Sequence, residues 1–160
     1  MEKRTRFITE VGVIAALYAV LTMVVAPISY GPMQIRISEA LCILPFFTGA
    51  AVPGLFIGCL IANGFGLLLG SSLGLMDIIV GSLTTLAAAW LTRRIRLRPL
   101  VPLPAVVLNA ITVPWTLSVM LGLPYWINVL WVGAGQLIAC YGIGYPLLLL
   151  LDRRRSYIFG

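Results

Sequence analysis

The chain has 160 residues, 61% of them apolar and 10% charged, with a formal net charge of +6 and a mean hydropathy of +1.05. An ordinary soluble domain is about 25% charged, so this composition cannot cover a globular surface with solvated side chains, and the solvent must be lipid. At about 20 residues per span there is room for six or seven helices and for no water-soluble catalytic domain. The chain contains no histidine, which excludes His-based metal sites and imidazole-activated hydroxyl nucleophiles. No GxxxxGK(S/T) loop is present, so any ATP-driven step requires another chain. Cys42, Cys59 and Cys140 lie apart in apolar runs without CxxC spacing and read as packing residues.

The first apolar run, Phe7 to Ile28, follows Lys3, Arg4 and Arg6. It is longer than a secretory signal core, and Pro27 follows its only small-residue cleavage position, Ala26, so it reads as a retained helix. A loop from Ser29 to Arg36, with Gly31 and Pro32, leads into a second segment from Ile37 to Val52, which Pro53 and Gly54 end. Further helices are expected over Gly54 to Gly70, Leu75 to Leu91, Leu100 to Leu121 and Trp126 to Leu151.

Charge parity sets the count. Ten of the eleven basic residues fall in three clusters, Lys3/Arg4/Arg6, Arg93/Arg94/Arg96/Arg98 and Arg153/Arg154/Arg155. Basic residues concentrate in cytoplasmic loops, and the three clusters share one face only if four spans precede Arg93 and two follow it. The expected fold is an all-α membrane bundle of six helices with both ends cytoplasmic, as a single domain.

The third helix carries Gly54, Gly58, Ala62, Gly66 and Gly70 at every fourth position, a stripe that lets another backbone approach closely, and this places it centrally. The first helix has two shorter rows, Gly12 with Ala16 and Ala15 with Ala19. These rows pack within the chain or dock a partner membrane subunit.

Arg36 stands on the outer side beside the second helix, Glu39 follows three residues later, and Asp77 opens the fourth helix on that same side. An Arg36–Glu39 pair and an Asp77 interaction with its helix dipole would explain them without function. Against that, an ionisable side chain a turn or two inside the hydrocarbon costs about 2.5 kcal/mol unless it faces a wet cavity or a partner, so the three suggest a polar mouth.

Deeper in, Asn63, Asn109 and Gln136 fall near the midplane and form one layer. Two readings stand side by side: interhelical hydrogen bonds worth about 0.6 kcal/mol each, or recognition of a planar heterocycle by groups that both donate and accept. Trp90, Tyr125 and Trp126 sit at helix ends as an interfacial belt. Trp115 and Trp131 lie inside their helices, where either would stack on a ring. Asn128 lies about 60° from Trp131 and about 80° from Gln136 around the sixth helix. Pro114 leaves the carbonyl of Ala110 without its usual partner.

The segments YGPMQIRISEALCILPFF (Tyr30 to Phe47), PGLFIGCLIAN (Pro53 to Asn63) and LMDIIVGSLTTLAAAWLT (Leu75 to Thr92) closely resemble the QueT family of proposed queuosine-precursor importers. The similarity extends over nearly the whole chain, including the LGLPYW turn. The resemblance implies a substrate-binding S component of an energy-coupling-factor (ECF) transporter in a prokaryotic plasma membrane, with no enzymatic activity and no cofactor. It implies a ligand bound near the outer surface, a helix-one AxxxA-type motif matched by Ala15 and Ala19 that docks a transmembrane coupling subunit, and two ATPase subunits beyond it. The implied ligand is a 7-deazaguanine such as 7-aminomethyl-7-deazaguanine. Glu39 or Asp77 would take its guanidine-like edge, the other would meet its ammonium, and Arg36 would bind the ring carbonyl or orient Glu39. Asn63, Asn109, Asn128 and Gln136 are then candidates for the remaining polar atoms, with Trp115 or Trp131 stacking. An S component for another flat vitamin, an intramembrane enzyme resting on Glu39 and Asp77, and a purely structural subunit are the competing expectations. Nothing in the chain points to nucleic acid.

Overall fold

The computed structural model describes residues 2–29, 36–70 and 74–154, without the side chains of Pro27 and Ile28. The interior of the first loop, with Gly31 and Pro32, and Arg155 of the last basic cluster lie outside the described residues. Among the described residues all regular structure is helical. Six principal elements follow in order: α1 (Glu2–Val24), α2 (Ile37–Phe46), α3 (Ala51–Leu68), α4 (Ser82–Arg94, entered through a π-helical turn at Asp77–Gly81), α5 (Leu103–Leu121) and α6 (Tyr125–Arg153). Four of them, α1, α3, α5 with its preceding Arg98–Leu100 turn, and α6, are long and apolar enough to cross a membrane.

Several boundaries depart from the sequence expectation, each for a backbone reason. α1 ends at Val24 and a separate turn, Ala26–Ser29, follows. Pro27 has no N–H for the carbonyl of Met23, so the α-helical ladder cannot run on to Ile28. The second segment is a 3₁₀ helix of ten residues, not an α-helix reaching Val52. At a rise of about 2.0 Å per residue it still reaches about 20 Å. Eight of those ten residues, Ser38 through Pro45, are buried, so α2 is a thin rod threaded through the centre of the bundle.

The break comes at residues 47–50 instead of Pro53–Gly54. Pro53 sits in the first turn of α3, where its missing N–H would have had no intrahelical partner. α6 is continuous in direction but widens into a π-helical stretch at Ile138–Gly144. There Gly144 comes so close to α2 that an added Cβ would lie 2.9 Å from the carbonyl oxygen of Ala40.

α1 packs on α3, α3 on α4, α4 on α5 and α5 on α6, while α2 contacts α1, α4 and the π stretch of α6. The small-residue stripe of α3 carries the closest approach. Gly54, Gly58, Ala62 and Gly66 are buried along it, and Gly70 ends the stripe beyond the helix. A Cβ built at Gly58 would meet Tyr18 Cβ at 2.7 Å and the Ala15 carbonyl oxygen at 2.8 Å. Gly58→Ala is therefore expected to force α1 outward and lower the unfolding free energy in mixed micelles by about 1–3 kcal/mol. Gly12→Ala, whose Cβ meets nothing within 4 Å, should not lower it.

The same contact decides the two rows on α1. Ala15 and Ala19 are 4% and 5% exposed and face inward with Tyr18, whereas Gly12 and Ala16 are exposed. The Ala15/Ala19 row therefore faces into the chain, with Ala15 lying against Gly58 of α3.

The polar contacts fix the two ends of the bundle. Thr48 donates to Glu10 at 2.7 Å, Arg93 donates to the carbonyl of Pro45 at 3.1 Å, and Arg98 pairs with Asp152 at 2.5 Å. One end therefore collects the start of α1, the α2–α3 connection, the end of α4 and the end of α6, with the basic clusters. Arg36 and Asp77 belong to the opposite end, at the starts of α2 and of the turn that leads into α4.

Candidate functional site: a buried polar cluster around α2

The start of α2 delivers two charged side chains into the bundle. Arg36 has an extended backbone, with φ −94° and ψ 105°, and the 3₁₀ turn begins at Ile37, so Ser38 and Glu39 enter the core at once. Arg36, Glu39 and Asp77 are 5%, 3% and 2% exposed. Arg36 Nη2 pairs with Asp77 Oδ2 at 3.0 Å, joining α2 to the π turn before α4. The π turn matters here. Asn63 of α3 donates to the main-chain carbonyl of Asp77 at 2.9 Å and lies 3.5 Å from Cys59 Sγ. A Cβ at Gly81 would sit 3.0 Å from Asn63 Nδ2 and 3.3 Å from Asp77 Oδ1, so a glycine at that position leaves room for both side chains.

Glu39 is held by a second set of partners, all neutral. Tyr18 of α1 donates to Oε1 at 2.5 Å and Asn109 of α5 donates to Oε2 at 3.4 Å. Asn109 also reaches Gln136 Oε1 of α6 at 3.4 Å, and Cys140 lies 3.5 Å from that same oxygen. Beside them Thr22 donates to Ser38 at 2.7 Å. Two acids, one guanidinium, one phenol and three amides from six elements thus converge on the first turn of α2. Asn63 Oδ1 and Ser82 Oγ are buried without a hydrogen-bond partner among the described residues, which costs stability.

Of the residues expected at a site, the structure brings together Arg36, Glu39, Asn63, Asp77, Asn109 and Gln136. The amides do not share one partner: Asn63 joins Asp77, while Asn109 lies between Glu39 and Gln136. Asn128 stays local, donating to the carbonyl of Pro124 at 2.9 Å in the first turn of α6. Trp115 and Trp131 are 48% and 50% exposed and point out of the bundle. Trp115 lies about 120° around α5 from Asn109, so it faces away from the cluster.

Tyr18 is the residue the sequence reading missed. The signal was present: a tyrosine in mid-span, away from the interfacial belts, needs a partner for its hydroxyl. Among the described residues no group of three His, Cys, Asp or Glu side chains forms a metal site.

The cluster therefore combines an acid held by neutral donors with a buried ion pair. Comparison with known proteins identifies the group to which it belongs. Residues 8–153 match the family described as QueT transporter. The chain belongs to the QueT transporter family. It is also 39% identical over 87 residues to a protein of Lactococcus lactis subsp. cremoris (strain MG1363) named queuosine precursor transporter QueT. That alignment takes in 53% of this chain and 48% of the relative, so the chain spans about half the length of the curated QueT protein it matches. No solved structure matches this QueT-family chain.

Proposed function

We propose that this chain is the substrate-binding S component of an ECF-type importer, taking up a queuosine precursor, 7-aminomethyl-7-deazaguanine or a related 7-deazaguanine. Family membership and the name of the lactococcal relative support a transporter for a queuosine precursor. The observation that carries the ligand reading is a pair of differently held carboxylates, Glu39 on neutral donors and Asp77 on Arg36. Glu39, met by the neutral donors Tyr18 and Asn109, is the carboxylate that accepts the two N–H groups of a guanine-type edge. The Arg36–Asp77 pair offers an acceptor to the aminomethyl ammonium and a donor to the ring carbonyl. Asn63, Asn109 and Gln136 exchange internal hydrogen bonds for those of the remaining ring atoms.

The topology that goes with this function has six spans, the four long apolar helices plus α2 and the stretch from the Asp77 turn through α4. Both termini and the basic clusters lie in the cytoplasm of a prokaryote, in keeping with the positive-inside bias. Arg36, Glu39 and Asp77 then face the outside, where a scarce nutrient is met. Calorimetry on the purified chain with a panel of 7-deazaguanines, guanine, and other flat vitamins tests the reading. The expected result is saturable binding restricted to 7-deazaguanines, strongest with the aminomethyl compound. Tight binding of an unrelated vitamin would replace the ligand while keeping the S-component role.

An energising module of a transmembrane coupling subunit and two ATPases requires a docking face, and α1 offers one in the exposed row of Gly12 and Ala16. Small residues on a lipid-facing helix allow close backbone contact with a partner helix. Ala16→Trp is expected to weaken co-purification with the coupling subunit by about tenfold or more, near 1.4 kcal/mol, while leaving ligand affinity unchanged. Unaltered co-purification would move the docking face elsewhere.

A further inference from the structure

At the basic end, between the last turns of α4 and the first turns of α5, the surface opens into a groove of about 420 Å³. This volume lies within the range of about 300–1,000 Å³ typical of small-molecule sites. Its lining includes Leu91, Ile95, Leu103, Val107 and Leu108, with Arg94 as its one charged side chain. Leu91, Leu103 and Val107 are each about 40% exposed (39%, 40% and 44%), so the groove is accessible from the lipid side. Trp90, 47% exposed, stands one turn before Arg94 with the guanidinium carbon 3.5 Å from its ring centroid. An exposed tryptophan at a span's end marks the headgroup boundary, so the groove begins at headgroup depth and runs toward the hydrocarbon.

The charges around it are not equivalent. Arg93 donates to the carbonyls of α2's last turn and Arg98 pairs with Asp152, so both serve internal contacts. Arg94 lies over the Trp90 indole and is exposed, so a cation–π contact with the ring leaves its N–H groups accessible to an anion. Arg96 is exposed in the turn that follows.

We propose that this groove is a binding site for an anionic phospholipid, with one acyl chain along Leu91, Leu103 and Val107 and the phosphate against Arg94 and Arg96. Charge complementarity and the apolar lining together select this occupant. A free phosphate has no use for the apolar wall, and a zwitterionic lipid offers the arginines a phosphate already accompanied by its own cation. Basic pockets between membrane helices on the cytoplasmic side have this affinity for acidic headgroups.

Native mass spectrometry of the full chain released from detergent, with phosphatidylglycerol or phosphatidylcholine of the same acyl chains added, tests the proposal. Expected is retention of one phosphatidylglycerol per chain with at least tenfold preference over phosphatidylcholine. Glycerophosphoglycerol without acyl chains should not be retained. Arg94→Gln with Arg96→Gln should abolish the preference. Val107→Trp, which fills the groove from an exposed position, should reduce retention of the acidic lipid while thermal stability in detergent holds. Equal retention of the two lipids by the unaltered chain, a preference that survives the double arginine variant, or retention unaffected by Val107→Trp would each overturn the site.

Discussion

Glu39→Gln is expected to lower affinity for 7-aminomethyl-7-deazaguanine by about 10- to 100-fold, as read by calorimetry on the purified chain. A hydrogen bond to a charged group contributes about 1.5–3 kcal/mol, and at 1.4 kcal/mol per decade its loss gives that range. Glutamine keeps the size of the side chain and one oxygen for the Tyr18 hydroxyl, which the wild-type carboxylate accepts at 2.5 Å. It replaces the second acceptor with a donor that opposes both the Asn109 amide and the ligand N–H. Removal of the charge also relieves the cost of burying a carboxylate that is 3% exposed. Thermal stability should therefore hold or rise while binding falls. Equal affinity in the variant would remove Glu39 from the site.

Asp77→Leu is expected to be the most destabilising single change, lowering the unfolding free energy by about 3–5 kcal/mol, the usual consequence of deleting one member of a buried ion pair. The pair joins the start of α2 to the turn that leads into α4, with side chains 6% and 3% exposed. The loss should show as a lowered midpoint in SDS–detergent unfolding. Arg36→Met combined with Asp77→Leu should recover part of it, because the pair is replaced by apolar side chains of similar volume while the buried Glu39 carboxylate keeps only its neutral donors. Neither form should retain ligand. A fully stable Asp77→Leu variant would show that the 3.0 Å contact contributes little to the fold.

These two residues were legible in the sequence because lipid makes every ionisable side chain conspicuous: with 10% charged residues in the chain, Arg36, Glu39 and Asp77 stand out against their apolar runs. The same logic singled out Asn109 and Gln136, which do meet, at 3.4 Å. Facing was harder to read. A helix apolar on all sides carries little angular signal, so the burial of Ala15 and Ala19 and the outward turn of Trp115 and Trp131 could not be read from spacing alone. Pitch was invisible for a related reason. The ten residues of α2, with Pro45 near their end and nearly every side chain enclosed, adopt the narrower 3₁₀ form, which their order does not specify. The π turn at Asp77–Gly81 depends in the same way on a neighbour, since Asn63 of α3 takes up the Asp77 carbonyl.

The orientation of the bundle underlies both the ligand site and the docking face, and sided cysteine labelling tests it directly. The native cysteines Cys42, Cys59 and Cys140 are buried, so a single introduced thiol can be read against a low background. Leu123→Cys lies in the α5–α6 connection, at the end opposite the arginine cluster, and Arg96→Cys lies within that cluster; both positions are exposed. A membrane-impermeant maleimide added to intact cells is expected to label Leu123→Cys at once and Arg96→Cys only after the cells are opened. Labelling of both from the same side, or of Arg96→Cys alone in intact cells, would contradict an outward-facing acidic site above an inward-facing basic end.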